Sequence, residues 1–195
     1  MRNDYEGITF ISVFSAQQLI YPFHSGLACF REPGEQCSYL RGVLEETAMQ
    51  ISAAVHHNQI VGYATLLPPD SEERWKALPY IRMMGALEVA PSYRRQKIAR
   101  RILQRLFADA RDIENQIVLA LEYYWHWDLK NSGVDVYEYK RMLKRLLASA
   151  GMEEVYTDDP DIQAHAANFA MARIGRNILA EQMQEFFYLA NPRVW

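Results

Sequence analysis

The sequence predicts a fold of mixed α and β class, and three observations carry that expectation. Strand-like and helix-like segments alternate along the chain, with no internal repeat, low-complexity tract or Gly/Ser-rich linker. The 195 residues are half hydrophobic, enough to bury one substantial core, so a single domain spanning 1–195 is expected. Residues 85–99 read as a buried strand, a tight turn and the opening of a helix, a unit that ties the two periodicities together.

Taken in order, residues 8–14 form a first strand, and 16–27 and 35–46 read as helices broken around Pro22 and Pro33. Residues 49–56 and 60–67 alternate as two more strands, joined by a hairpin turn at His57-Asn58-Gln59. Pro68-Pro69 stops the third strand, and Ser71-Glu72-Glu73 caps a short helix through Trp75. Residues 81–90 make the fourth strand, closed by Pro91. Ala99, Ile102, Leu103, Leu106 and Ala110 recur at helical spacing, so this helix lays one face on the sheet and turns Arg100, Arg101 and Arg105 outward. Residues 116–124 are a fifth strand, 134–150 a helix ended by Gly151, 152–157 a sixth strand and 168–174 a seventh. Asp159-Pro160 opens a short segment between those last two strands, and a final helix covers 177–189.

The turn in 85–99 has the chemistry of an anion seat. The first amides of a helix lack intrahelical partners and carry the positive end of its dipole, so a diphosphate can be held by backbone and side chains together. From Arg94 to Arg105 six residues are basic and none is acidic, within a chain whose net charge is −3. Arg94-x-x-Lys97-x-Ala99, after a strand ending Leu87-Glu88-Val89, resembles the coenzyme A signature of the Gcn5-related N-acetyltransferases: Arg or Gln, x, x, Gly, x, Gly or Ala. Lys97 stands where that family has its middle glycine. A helical backbone accepts lysine there at little cost, whereas a left-handed one strains it.

The resemblance implies the GNAT fold: a mixed, mostly antiparallel sheet of six to seven strands, with a parallel, splayed fourth and fifth strand and helices on both faces. It implies acetyl-CoA as co-substrate, met by Leu87, Val89, Arg94, Arg95, Gln96, Lys97, Ile98, Ala99 and Arg100. The pantetheine arm would enter beside Val89, and Arg100 or Arg101 would approach the ribose phosphate. A second stretch narrows the likeness. Glu122-Tyr-Tyr-Trp-His-Trp-Asp-Leu-Lys130 sets five rings beside three charges. With Phe30-Arg-Glu-Pro33, residues 80–90 and residues 168–175, it resembles the acetoin utilization acetyltransferases of Gram-positive bacteria over nearly the whole chain, with 168–195 as a family extension. That resemblance implies acetylation of a lysine of acetyl-CoA synthetase, which switches the synthetase off.

The chemistry can be stated without the family. A lysine amine with a reference pKa of about 10.4 must lose a proton before it attacks a thioester, so a base is required. Glu88 and Glu122 are the candidate bases. Strand alternation sends Glu88 to the face opposite Leu87 and Val89 unless a bulge intervenes, and a carboxylate in an apolar strand also has a structural reading. Many family members protonate the departing thiolate with a tyrosine four residues before the closing glycine. Here that position is Leu147, with Tyr124, Tyr137 and Tyr139 as substitutes. Tyr124, Trp125, His126 and Trp127 are the candidate partner contacts; His126 reads as a base or as part of a ring set sealing the sheet edge, and alternation places it opposite its tryptophans. His56-His57 reads as a chemically silent hairpin. Glu153, Glu154, Asp158, Asp159 and Asp161 form an acidic patch able to steer a basic loop.

Several classes are set aside by composition. The negative net charge argues against a general nucleic-acid binder. Arg2, Asp4 and Glu6 interrupt any signal-like run, no stretch is apolar enough to span a membrane, and a cytoplasmic protein is expected. Cys29 and Cys37 lack metal or disulfide spacing, so no metal is expected and two free thiols are. Two other functions fit the same residues: a small-amine N-acetyltransferase, and a non-catalytic module of this fold that inhibits by binding its partner.

Overall fold

The computed structural model describes residues 7–192; Arg2, Asp4 and Glu6 lie outside the described residues. Among the described residues seven strands form one sheet in the order β1-β2-β3-β4-β5-β7-β6. They are β1 (Thr9–Val13), β2 (Gln50–His56), β3 (Gln59–Leu67), β4 (Ile81–Val89), β5 (Ile117–Glu122), β6 (Glu153–Val155) and β7 (Phe169–Ile174). The helices are α1 (Pro33–Glu46), α2 (Ile98–Asp109), α3 (Leu129–Ser132), α4 (Val136–Ala148), α5 (Pro160–Gln163) and α6 (Ala180–Ala190). β4 and β5 pair in parallel through Ile81↔Ile117, Arg82↔Val118 and Met83↔Leu119, while β1–β2, β2–β3, β5–β7 and β6–β7 pair antiparallel. The chain groups into two compact units, one made of residues up to Leu67 with Gly85–Ala110, the other of Pro68–Met84 with the chain from Arg111 onward.

In the first unit the hairpin between β2 and β3 turns where His57 and Asn58 take φ of 47° and 59°, the two left-handed residues that a tight hairpin needs. α2 buries Ile98, Ile102, Leu103, Leu106 and Phe107 and lies against β1, β2 and β3. Gly62 lets these layers close: a Cβ there would come within 3.0 Å of Val89 and 3.1 Å of Ile102. α1 begins at Pro33, with the Glu32 carboxylate accepting from the Gly34 and Glu35 amides.

The expected helix over 16–27 is not there. Only Ala16–Gln18 make one 3₁₀ turn. Pro22 lacks an amide donor and pushes its predecessor out of the helical region, and the segment then runs beside β3. Ile60 donates to the Pro22 carbonyl at 2.9 Å, His24 donates to the Ile60 carbonyl at 2.9 Å, and Phe23 bridges Ile60. Leu19, Phe23 and Leu27 are all buried in the core, so an apolar residue every fourth position imitated helical spacing in an irregular segment.

In the second unit β5 buries Ile117–Ala120, with Phe169–Ala172 of β7 alongside. α4 starts two residues later than expected because Asp135 caps it, accepting from the Tyr137 and Glu138 amides at 2.8 Å. It ends as expected: Gly151 takes φ of 82° and the Met152 amide reaches back to the Leu147 carbonyl at 3.3 Å, a left-handed glycine close. The expected helix through Trp75 shrinks to a 3₁₀ turn at Arg74–Ala77 without a side-chain cap; Glu73 instead accepts from the Asp70 amide. Trp75 is fully buried against Phe186 of α6, ring centroids 5.7 Å apart.

Candidate active site

The basic turn lies wholly within the first unit. After β4 the chain makes a 3₁₀ turn at Pro91–Tyr93, and Arg94 folds back to donate from Nε to the Val89 carbonyl at 3.0 Å. Arg95 and Lys97 then adopt φ of 65° and 60°. Lys97 is the residue before the first turn of α2; no side chain caps that helix, and no acidic residue stands in its first turn. The amides of Ile98, Ala99 and Arg100 therefore open the helix, with Arg94, Arg95 and Lys97 just before them. A diphosphate needs this donor set: backbone N–H groups at a positive dipole end with cationic side chains beside them.

Lys97 resolves the question raised by its sequence. The backbone is left-handed, as a glycine would make it, and lysine carries it at a cost of about 1–2 kcal/mol. The chain thus keeps the path of the glycine motif without the glycine. Of the outward arginines, Arg100 is exposed, whereas the Arg101 guanidinium lies 4.3 Å over the Phe10 ring and Arg105 pairs with Asp109 at 2.6 Å.

A brace that sequence reasoning missed holds this turn. Tyr93 sits between two histidines, its hydroxyl 2.9 Å from His56 Nδ1 and its ring edge-on to His24 at 5.5 Å. His56 therefore supports the turn. The signal was the hairpin histidine pair itself, but only the tertiary fold puts Tyr93 against it.

Glu88 also belongs to the first unit, and alternation describes it: its carboxylate meets Tyr63 on one face of the sheet, while Val89 packs toward Gly62 and Ile102 on the other. Glu88 and Val89 are both buried, at 5 % and 8 % exposed. The Glu88 carboxylate accepts from the Cys29 amide at 2.9 Å and from the Tyr63 hydroxyl at 3.3 Å. Tyr63 accepts in turn from Gln36 at 3.0 Å, and burial followed by the Glu88 charge pushes its phenol far up. Neither Tyr63 nor Gln36 was marked by any sequence motif.

Glu122 closes β5 in the second unit. The Trp127 indole donates to its carboxylate at 3.2 Å, and burial outweighs that bond and pushes the carboxyl up from 4.5 to about 7. β5 stops at Glu122 because Tyr124–His126 form a 3₁₀ turn, pinned where the Tyr124 amide donates to Asn168 Oδ1 at 2.9 Å. That turn cancels the alternation expected for His126. The tryptophans part instead: Trp127 is 9 % exposed and stacks on Tyr139 at 5.2 Å, whereas Trp125 is 48 % exposed and stacks on Tyr123 at 5.0 Å. Trp127 is thus a buried support for Glu122 and offers no surface to a partner. Tyr124 packs on His165 at 4.2 Å, Tyr137 is exposed, and Leu147 is fully buried where the family tyrosine would stand.

No group of three or more His, Cys, Asp or Glu side chains suited to a metal ion occurs among the described residues, and no helix among them is long and apolar enough to cross a membrane.

The chain belongs to the acetyltransferase (GNAT) family, matching it over residues 13–124, and is an N-acetyltransferase of a family that draws its acetyl group from acetyl-CoA. Within that family it is similar to the acetoin utilization protein AcuA of Bacillus subtilis (strain 168), 39 % identical over 168 residues, which is 85 % of this chain and 80 % of that protein. It is likewise similar to AcuA of Bacillus licheniformis, 36 % identical over the same shares of the two chains. A crystal structure of an acetoin utilization protein from Exiguobacterium sibiricum superposes with a TM-score of 0.86 at 34 % identity, covering 97 % of both chains. The yncA protein of Salmonella typhimurium, solved with its cofactor acetyl-CoA, shares the fold at a TM-score of 0.58 and 13 % identity.

Proposed function

We propose that this chain is a cytoplasmic, acetyl-CoA-dependent protein N-acetyltransferase that acetylates a lysine of acetyl-CoA synthetase and so turns the synthetase down in acetoin and acetate metabolism. Similarity to proteins named for acetoin utilization supports the setting. The observation that carries the chemistry is the Glu122 carboxyl, tuned to about 7.

Arg94, Arg95, Lys97 and the amides of Ile98, Ala99 and Arg100 are the residues that would hold the diphosphate, beside Gln96, and the backbone of Leu87 and Val89 would meet the pantetheine arm. Bound acetyl-CoA supplies an acetyl thioester whose thiol, with a reference pKa of about 8.5, is a workable leaving group. Glu122 takes the proton of the incoming lysine amine: a base tuned near neutrality is ionised enough to accept a proton and basic enough to hold it. Glu88, already held by the Cys29 amide and Tyr63, serves to fix the end of β4. Leu147 provides no acid, so the thiolate is protonated by water or by Tyr124. Trp125 and His126, both exposed, contact the protein acceptor.

Mixing the purified protein with acetyl-CoA and acetyl-CoA synthetase, then locating acetyl-lysine by mass spectrometry, tests the reading. One modified lysine with loss of synthetase activity is expected. No acetyl-lysine above a control without the enzyme would sink it, and inhibition without modification would favour the binding module instead.

A further inference from the structure

The second unit carries an exposed ring surface whose electrostatic surroundings are one-sided. Tyr123 and Trp125 stack at 5.0 Å and 17°, and His126 stands edge-on to both at 5.7 and 5.9 Å. Trp125 leaves nearly half its surface in water. Such a stack costs free energy to leave wet and offers π-faces to a cation. Asn168 ties this turn to the acidic loop, accepting from the Tyr124 amide at 2.9 Å and donating to the Asp161 carbonyl at 2.7 Å, and burial, then the charges of Asp159, Asp161, Glu73 and Glu122, push the Tyr123 phenol up. Glu73 in turn feels Asp70 and Asp159, so these carboxylates form one group. The neighbouring cation Arg74 is committed to Asp158 at 2.5 Å, and Asp159 caps α5 through the Asp161 and Ile162 amides. Asp161 is exposed, and the hydrogen bonds that fix it run through its backbone amide and carbonyl.

Resting on the reading of this chain as a protein lysine acetyltransferase, we propose that the Tyr123–Trp125 stack with Asp161, Asp159 and Glu73 is a recognition subsite for a second basic side chain of the acceptor protein, an arginine or lysine near the lysine that is acetylated. The occupant follows from charge complementarity. A guanidinium gains the ring face and the carboxylates together, whereas an acidic or neutral side chain loses one or both. The subsite selects among lysines and takes no part in proton transfer.

Steady-state acetylation of synthetic peptides decides it, using one acceptor lysine flanked by arginine or by its neutral isostere citrulline, placed in turn at each of the three residues on either side. At one position arginine should raise kcat/KM by about five- to thirtyfold, mainly through KM and less so in high salt. Asp161→Asn and Trp125→Ala should each collapse that ratio toward one, and Asp161→Glu should restore it. Equal rates for arginine and citrulline at every position, with measurable acetylation, would overturn the subsite and leave the lysine acetyltransferase standing. Acetylation of no peptide, and of no intact acetyl-CoA synthetase, would overturn the underlying reading instead. A ratio that persists in a folded Asp161→Asn/Trp125→Ala double variant, checked by circular dichroism, would place the recognition elsewhere and reject the proposal.

Discussion

Glu88 and Glu122 both stand at or beside the carboxyl ends of their strands, β4 and β5, yet Glu88 is buried and Glu122 half-buried, and different partners meet them. Glu88 is met by the Cys29 amide and by a Tyr63 hydroxyl that is itself held by Gln36. Those two donors tie the Glu88 carboxylate to the scaffold. Glu122 is met by the Trp127 indole, too little to offset burial, so its proton is held up to about 7. Two carboxylates that look alike in sequence thereby have different surroundings: Glu88 is fixed by two donors, and the Glu122 carboxyl is pushed up by burial.

The largest expected effect breaks that comparison or keeps it. Glu122→Gln should lower kcat/KM by about 10²- to 10⁴-fold at pH 8, while a folded Glu88→Gln variant keeps most of its kcat. Equal losses would erase the distinction. The wild-type rate should rise with pH, reach half its plateau near pH 7 and level off about one unit higher, where the carboxylate is nearly all formed, and Glu122→Gln should lose that limb. Stability runs the other way. The folded pKa lies above the unfolded one, so between about 4.5 and 7 the native state binds the extra proton, and stability falls as pH rises through that window, then stays flat. Urea midpoints at pH 5 and pH 8 should therefore converge in Glu122→Gln.

A smaller effect sharpens the other side. Tyr63→Phe removes the hydroxyl that donates to Glu88 and accepts from Gln36, and should cost about 1–2 kcal/mol in urea denaturation. An unchanged midpoint would mean that Glu88 is not braced through Tyr63. The smallest effect concerns the turn beyond β4. Lys97→Gly should gain about 1 kcal/mol by relieving a left-handed lysine, and a loss would show that the side chain contributes more than its backbone strain costs.

Much of this was legible without coordinates because its physics is local. Strand periodicity, the hairpin at His57-Asn58, the apolar face of α2 and the left-handed close at Gly151 all follow from residues a few positions apart. Legibility failed where a distant segment supplied the partner. Leu19, Phe23 and Leu27 keep helical spacing, but hydrogen bonds to Ile60 hold them in an irregular path. Trp125 and Trp127 are indistinguishable as letters, and the 3₁₀ turn between them exposes one and buries the other under Glu122.

The sequence by itself determined the strand and helix order, the basic opening of α2 and the ring-rich end of β5, since patterning, helix polarity and composition act over a single turn or strand. Only the tertiary structure decided that Lys97 is left-handed, that Tyr93 is braced by His56, and that Glu88 is tied while Glu122 is tuned. The physical reason is that burial and hydrogen-bond partners set a carboxyl's proton affinity, and both are supplied by residues brought near by folding.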